Sequence, residues 1–282
     1  MNMSISKKMS RSTAYAARAG LPVFLLVVAW APQCAFSAGA PADNPVAVIF
    51  GERVYPKDLV APAGAGQAVD PAGAERARGE MLRARVWKAV FEDYARQRNI
   101  APTEAEITSQ IEGHQRMKLR SDAERVQQRA ALIEELKSPS LTDTRRKAAQ
   151  QHLDTLNQLA EFDAKRDQEL RDPARRKMQQ DAERRVAEYW VRAWKLNQTL
   201  YREFGGRIIF QQAGWEPIDA YHKLLDQYAA KKAFVVSDPA LHAAVYSYFE
   251  HKFVYADETK ARFYFEKPYW ERTQEEMRVA GF

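Results

Sequence analysis

The chain has 282 residues and a formal net charge of +6, but residues 1–40 hold four basic and no acidic side chains, so the remainder is near +2. That balance argues against nucleic acid as a partner, since displacing counterions takes a concentrated basic face. The single cysteine, Cys34, rules out a disulfide framework within the chain.

Residues 1–40 read as a cleavable secretory signal. Lys7, Lys8, Arg11 and Arg18 make a positive start, Leu21 to Ala31 is a short apolar run, and the small residues Ala35, Ser37, Ala38 and Ala40 follow. Cleavage fits after Ser37 or after Ala40. A retained anchor would need a longer run than the one that Pro22 and Pro32 bracket, and Ala31-Pro32-Gln33 makes a poor lipobox before Cys34. The expected product is exported to the periplasm and, with Cys34 gone, has no thiol nucleophile. About 240 residues then remain, enough for one elaborated domain or two small ones, and no later segment approaches a membrane span.

Val46 to Phe50 is an apolar, β-branched run closed by Gly51-Glu52, which predicts a short strand entering a turn. Pro56-Lys57-Asp58-Leu59 can open a helical turn, with proline tolerated at its first position. Ala61 to Gly73 is rich in Gly and Pro and predicts a loop; its Gly64-Ala65-Gly66 follows no strand and precedes no lysine at P-loop spacing. Residues 74–98 carry Leu82, Val86, Val90 and Tyr94 every fourth position, widened by Trp87 and Phe91, and predict a core helix.

Thr103 with Glu106 has the spacing of a capping box, and the helix it starts extends to about Lys137 with few apolar positions in its middle. Ser138-Pro139-Ser140 breaks it, Thr142 can cap the next helix, and Ala149, Leu153, Leu156 and Ala160 give that helix one narrow seam. Two such helices predict an antiparallel charged hairpin, projecting ~45 Å for ~30 residues each. The doublets Arg145-Arg146, Arg175-Arg176 and Arg184-Arg185 sit among acids and glutamines, as on a solvated helix face. Asp172-Pro173 marks a fresh helix start, and from Val186 burial is expected to return on a face carrying Val186, Trp190, Trp194 and Tyr201, until Gly205-Gly206 ends the helix. Trp87, Trp190 and Trp194 are expected to share one core.

Ile208-Ile209-Phe210 is an apolar patch, and Pro217 to Lys231 predicts a helix with Tyr221, Leu224, Leu225 and Tyr228 on one side. Asp238-Pro239 starts another through Tyr246 and Phe249, while Ala261-Arg262-Phe263-Tyr264-Phe265 has the composition of a short strand before Pro268. The expected fold is mainly α: a helical core, a long charged helical hairpin arm and a few short strands. Its expected divisions are the signal at 1–40, the N-terminal part of the core at 41–102, the arm at 103–185 and the completing helical part at 186–282.

Residues 46–107 resemble the N-terminal region of SurA-type and parvulin-type envelope chaperones. The shared order is a signal peptide, the strand Val-Ala-Val-Ile-Phe-Gly-Glu, then Pro-Lys-Asp-Leu (56–59), an amphipathic helix, and Asn-Ile-Ala-Pro-Thr-Glu-Ala-Glu-Ile (99–107). The resemblance implies a helical module that holds unfolded polypeptide, with the 186–201 helix packed on the 74–98 helix. The chain departs from that family where an isomerase domain would sit: it has no Gly-Gly-Asp-Leu-Gly-like segment and no parvulin histidine pattern, so no catalytic residue carries over.

The five histidines, His114, His152, His222, His242 and His251, are scattered without an H-E-x-x-H helix, no G-x-S-x-G elbow occurs, and the abundant carboxylates nominate no acid/base pair. No cofactor, metal or catalytic residue is expected. The constellation that remains is aromatic. Much of it belongs to a core, but Tyr248, Phe253, Tyr255, Phe263, Phe265, Tyr269 and Trp270 are the candidates to line a groove for apolar segments of clients. The expected function is therefore the holding of unfolded or assembling envelope proteins without isomerase activity. The alternatives are an adaptor that binds one envelope partner through its arm, and a divergent peptidyl-prolyl isomerase. Oligomeric state is open.

Overall fold

The computed structural model describes residues 44–60, 70–211 and 214–281; the expected signal at 1–40 and most of the expected 61–73 loop lie outside the described residues. Strand β1 (Ala47–Ile49) turns through Phe50 and Gly51, both with positive φ (47° and 84°), into β2 (Glu52–Val54). Paired positive angles suit the tight hairpin turn that matches strand twist, and glycine accepts one of them without strain. Ala47, Ile49 and Val54 are buried on one face, as period-2 alternation requires. A 3₁₀ turn at Pro56–Leu59 follows, tied down by the Asp58 carboxylate, which accepts from the Tyr55 N–H at 2.8 Å, and by the Arg85 guanidinium, which donates to the Asp58 carbonyl at 2.7 Å.

Helix α1 (Pro71–Gln97) begins three residues before the expected start, because Asp70 caps it by accepting from the Gly73 N–H and Pro71 sits at the first helical position. Leu82, Val86, Val90 and Tyr94 are all buried, in agreement with their spacing. Helix α2 (Glu104–Leu136) opens on the expected capping box: the Thr103 hydroxyl accepts from the Glu106 N–H at 3.3 Å and the Glu106 carboxylate accepts from the Thr103 N–H at 2.7 Å. Helix α3 (Asp143–Glu169) starts at the Thr142 cap and returns along the C-terminal half of α2. The two share a small separate core of Leu132, Ala149 and Leu156 with Leu136 and Leu153, and an Arg125–Asp163 ion pair at 2.9 Å. Helix α4 (Pro173–Phe204), capped by Asp172, lies against the N-terminal half of α2, where Arg184 meets Glu104 and Lys195 meets Glu106.

After α4 the hairpin β3 (Ile209–Gln211) and β4 (Gly214–Glu216) leads into α5 (Ile218–Ala230), then β5 (Phe234–Val236), which pairs antiparallel with the free side of β1. Helix α6 (Pro239–Tyr246), capped by Asp238, packs on α1 and runs into a 3₁₀ turn, Ser247–Glu250. Helix α7 (Glu258–Glu266), a 3₁₀ turn at Tyr269–Glu271 and α8 (Gln274–Val279) complete the chain. With eight α-helices and five three-residue strands among the described residues, the fold is mainly α. The largest hydrophobic cluster joins residues from both sides of the arm, from Ala47 to Ile100 and from Leu200 to Val245. Among the described residues no helix is long and apolar enough to cross a membrane.

Three expectations are corrected. Residues 261–265 are helical, not a strand: the Asp257 side chain accepts from the Thr259 and Lys260 N–H groups, and Ala261 and Phe265, four apart, bury one helical face. On α4 the fully buried residues are Ala187 and Val191 on one face and Leu200 on the opposite side near its end, whereas Val186 and Tyr189 are exposed and Trp190, Trp194 and Tyr201 are half-buried. The three tryptophans do not share a core: Trp87 packs against Tyr221 and Phe249, Trp194 against Trp270, and Trp190 faces elsewhere. The small Ala187 and the β-branched Val191 take the closest contact on their face, and because α4 is approached from several sides the wide aromatic side chains lie on the flanks.

Candidate functional site

The C-terminal aromatics sort into the core and three separate hollows. Phe265 and Trp270 are only 2% and 3% exposed, the first stacked on Tyr201 (centroids 5.0 Å apart) and the second edge-on to Trp194 (5.8 Å), so both are core residues with no face left for a client. Phe263 and Tyr269 line an aromatic groove. Tyr248, Phe253 and Tyr255 lie in two other hollows.

The groove, of about 310 Å³, is built from six elements. Strands β3 and β4 bring Phe210 and Trp215 side by side (5.4 Å between centroids), and Trp215 stacks on Tyr264 of α7 at 5.5 Å. Tyr264 in turn lies nearly parallel to Tyr269, at 6.5 Å and 15°. Trp190 of α4 and Met277 of α8 close the ends. Phe210 is 67% exposed at the rim, an apolar side chain held in water by its strand. The Arg272 guanidinium braces one wall: it lies 3.4 Å over the Phe263 ring and donates to the carbonyls of Lys267 and Phe263. Burial pulls the Arg272 pKa below its ordinary value and pushes the Tyr264 and Tyr269 hydroxyls above theirs, so the wall holds one backbone-bonded cation and two neutral phenols.

Such a surface offers ring faces, a soft thioether and few free polar groups. It suits apolar or aromatic side chains of an extended polypeptide. Trp190 and Tyr269 also line a second, more polar hollow of about 590 Å³ at the arm's base, where Gln110, His114 and Lys118 of α2 meet Arg166, Leu170 and Glu183. The aromatic groove and the base of the arm therefore share a wall.

The other candidates sit apart. Phe253 and Tyr255 line a hollow with Arg207, whose guanidinium is 4.4 Å from the Tyr255 ring centroid and pairs with Asp219 at 2.9 Å. Tyr248 lines a cleft with Trp87 and Tyr221, and its hydroxyl donates to the Glu216 carboxylate at 2.7 Å. Asn197 ties this cleft together, accepting from the Tyr221 hydroxyl at 2.7 Å and donating to the Trp215 carbonyl at 3.0 Å. Sequence reasoning missed Trp190, Phe210, Trp215, Tyr264, Arg272 and Met277 as groove residues, and missed Glu216. Gly214 shortly after the apolar run Ile208-Ile209-Phe210 was the available signal for the hairpin; nothing local marks the convergence.

Burial raises the Glu216 pKa, with the Tyr248 hydroxyl bond opposing the shift. A carboxyl with a raised folded-state pKa binds more protons folded than unfolded, so its contribution to stability falls as pH rises from the unfolded value, about 4.3, through the folded one. Glu216→Gln keeps an acceptor for Tyr248 and removes the charge. The variant is expected to melt above the parent at neutral pH and together with it below about pH 4; equal melting temperatures across the whole range would mean the carboxylate is not desolvated.

Among the described residues no group of three or more His, Cys, Asp or Glu side chains could hold a metal ion. The chain matches no protein-family model, no curated protein and no solved structure.

Proposed function

We propose that this chain is an exported, non-catalytic holding protein of the cell envelope, of the SurA type, that shelters apolar and aromatic segments of unfolded or assembling polypeptides. The observation that carries the reading is the groove of Trp190, Phe210, Trp215, Phe263, Tyr264 and Tyr269, open at its rim through Phe210 and continuous with the base of the charged arm. Shallow ring contacts favour many clients weakly, because each client loses ordering entropy on capture. Charged side chains of the arm keep the loaded complex in solution.

The test is suppression of aggregation of several unrelated unfolded clients, outer-membrane-type proteins among them. The parent is expected to delay aggregation at a few-fold molar excess, and Phe210→Ser to lose most of that effect with its thermal unfolding unchanged, since Phe210 is largely exposed. A parent that delays none of the clients sinks the proposal, as does a Phe210→Ser variant that works as well.

Removing residues 115–170 tests the arm. Gln115 and Leu170 line one hollow, so a short linker can rejoin the ends, and the deleted part keeps its own small core of Leu132, Ala149 and Leu156. The shortened protein is expected to retain near-parent tryptophan fluorescence and cooperative unfolding while losing client protection. Protection undiminished by the deletion would confine the activity to the groove.

A further inference from the structure

Helix α2 carries a second apolar stripe that the fold does not cover. Leu119, Val126 and Ile133 are seven residues apart and 69%, 69% and 40% exposed, and the exposed Ala123 and Ala130 fall between them. The spacing, four then three residues, is a heptad seam. It is not the face that meets α3. That face runs through Arg125 and Leu132, one residue earlier and therefore rotated ~100° around the helix.

The seam alternates large and small. In a parallel pair each layer would set a residue against its own copy, so Ala123 would face alanine and Val126 would face valine, in layers alternately hollow and full. An antiparallel pair sets large against small in the four layers from Leu119 to Ala130, with Ile133 beyond the end of the overlap. The flanking charges choose the register. With the twofold axis between Glu124 and Arg125, Asp122 on one helix falls beside Arg129 on the other, twice by symmetry. Sliding the pair one heptad the other way sets Arg129 against its own copy.

We propose that two copies of this chain pair through their arms as an antiparallel coiled coil, Leu119 of each opposite Ala130 of the other and Ala123 opposite Val126. Two heptads make a short seam, so the pairing is reversible and concentration-dependent. It places two aromatic grooves on one particle, which would raise avidity for a long client, although the pairing stands independently of client holding.

Sedimentation of the full-length chain from about 5 to about 500 μM should show a monomer–dimer equilibrium. Val126→Asp should weaken it by about tenfold or more while leaving the circular dichroism unchanged, because a charge in the seam must be desolvated on pairing. Direction is read by disulfide trapping in a Cys34→Ser background, where introduced thiols are the only ones. An equal mixture of Ala123→Cys and Val126→Cys chains should cross-link mainly as unlike pairs. A monomer at every concentration, association that survives Val126→Asp, or disulfides mainly between like chains would overturn the proposal.

Discussion

Gly113→Ala is expected to destabilise the protein by about 1–3 kcal/mol, although alanine is the better helix former by about 0.8–1 kcal/mol. A Cβ at Gly113 would lie 2.3 Å from the Trp270 carbonyl oxygen and 2.6 Å from the Trp270 Cβ, inside any van der Waals contact, and the carbonyl is backbone that cannot rotate away. The same carbonyl accepts from the Arg116 guanidinium at 3.0 Å, so a shift of the 3₁₀ turn would also break that bond. Because Tyr269 adjoins Trp270 and lines the groove, the variant should lose client protection along with stability. Chemical denaturation followed by tryptophan fluorescence measures the first effect. A variant as stable as the parent would show that α2 does not pack on the Trp270 turn.

Leu200→Ala is expected to cost about 2–5 kcal/mol, and more than Trp190→Ala, even though tryptophan is the larger side chain. Leu200 is 0% exposed in the main cluster, where it joins α4 to residues of α1 and α5, so truncation leaves a cavity with packed walls on every side. Trp190 is half-buried at the groove, where solvent can fill the space that truncation opens. For a chain of this size the Leu200 variant should melt roughly 2–4 °C lower for each kcal/mol lost. If Trp190→Ala proves the more damaging of the two, the buried stripe of α4 runs through Trp190, as its sequence periodicity suggested.

The helices were legible where a cap and a period agreed. Thr103 with Glu106, Thr142, Asp172-Pro173 and Asp238-Pro239 all start helices where expected, because a cap is a local hydrogen bond between residues two or three apart. Strands were harder. The Val46–Phe50 run announced β1, but all five strands are only three residues long, too short for a clear period, and β5 owes its pairing to a distant partner, as when Val236 pairs with Ala47. Residues 261–265 failed for the opposite reason: β-forming composition yielded to the Asp257 cap and to burial of Ala261 and Phe265 on one face.

By itself the sequence determined a mainly helical chain with a thinly buried arm, since caps, breaks and apolar periods act over a few residues. It also placed the aromatic residues of the C-terminal third. Only the tertiary structure decided which of these aromatics are walls and which are core, because Phe263 and Phe265 differ by two residues and by opposite faces of one helix. The same holds for the groove, whose rings come from α4, β3, β4, α7 and the turn at Tyr269 and meet through packing that no local spacing encodes.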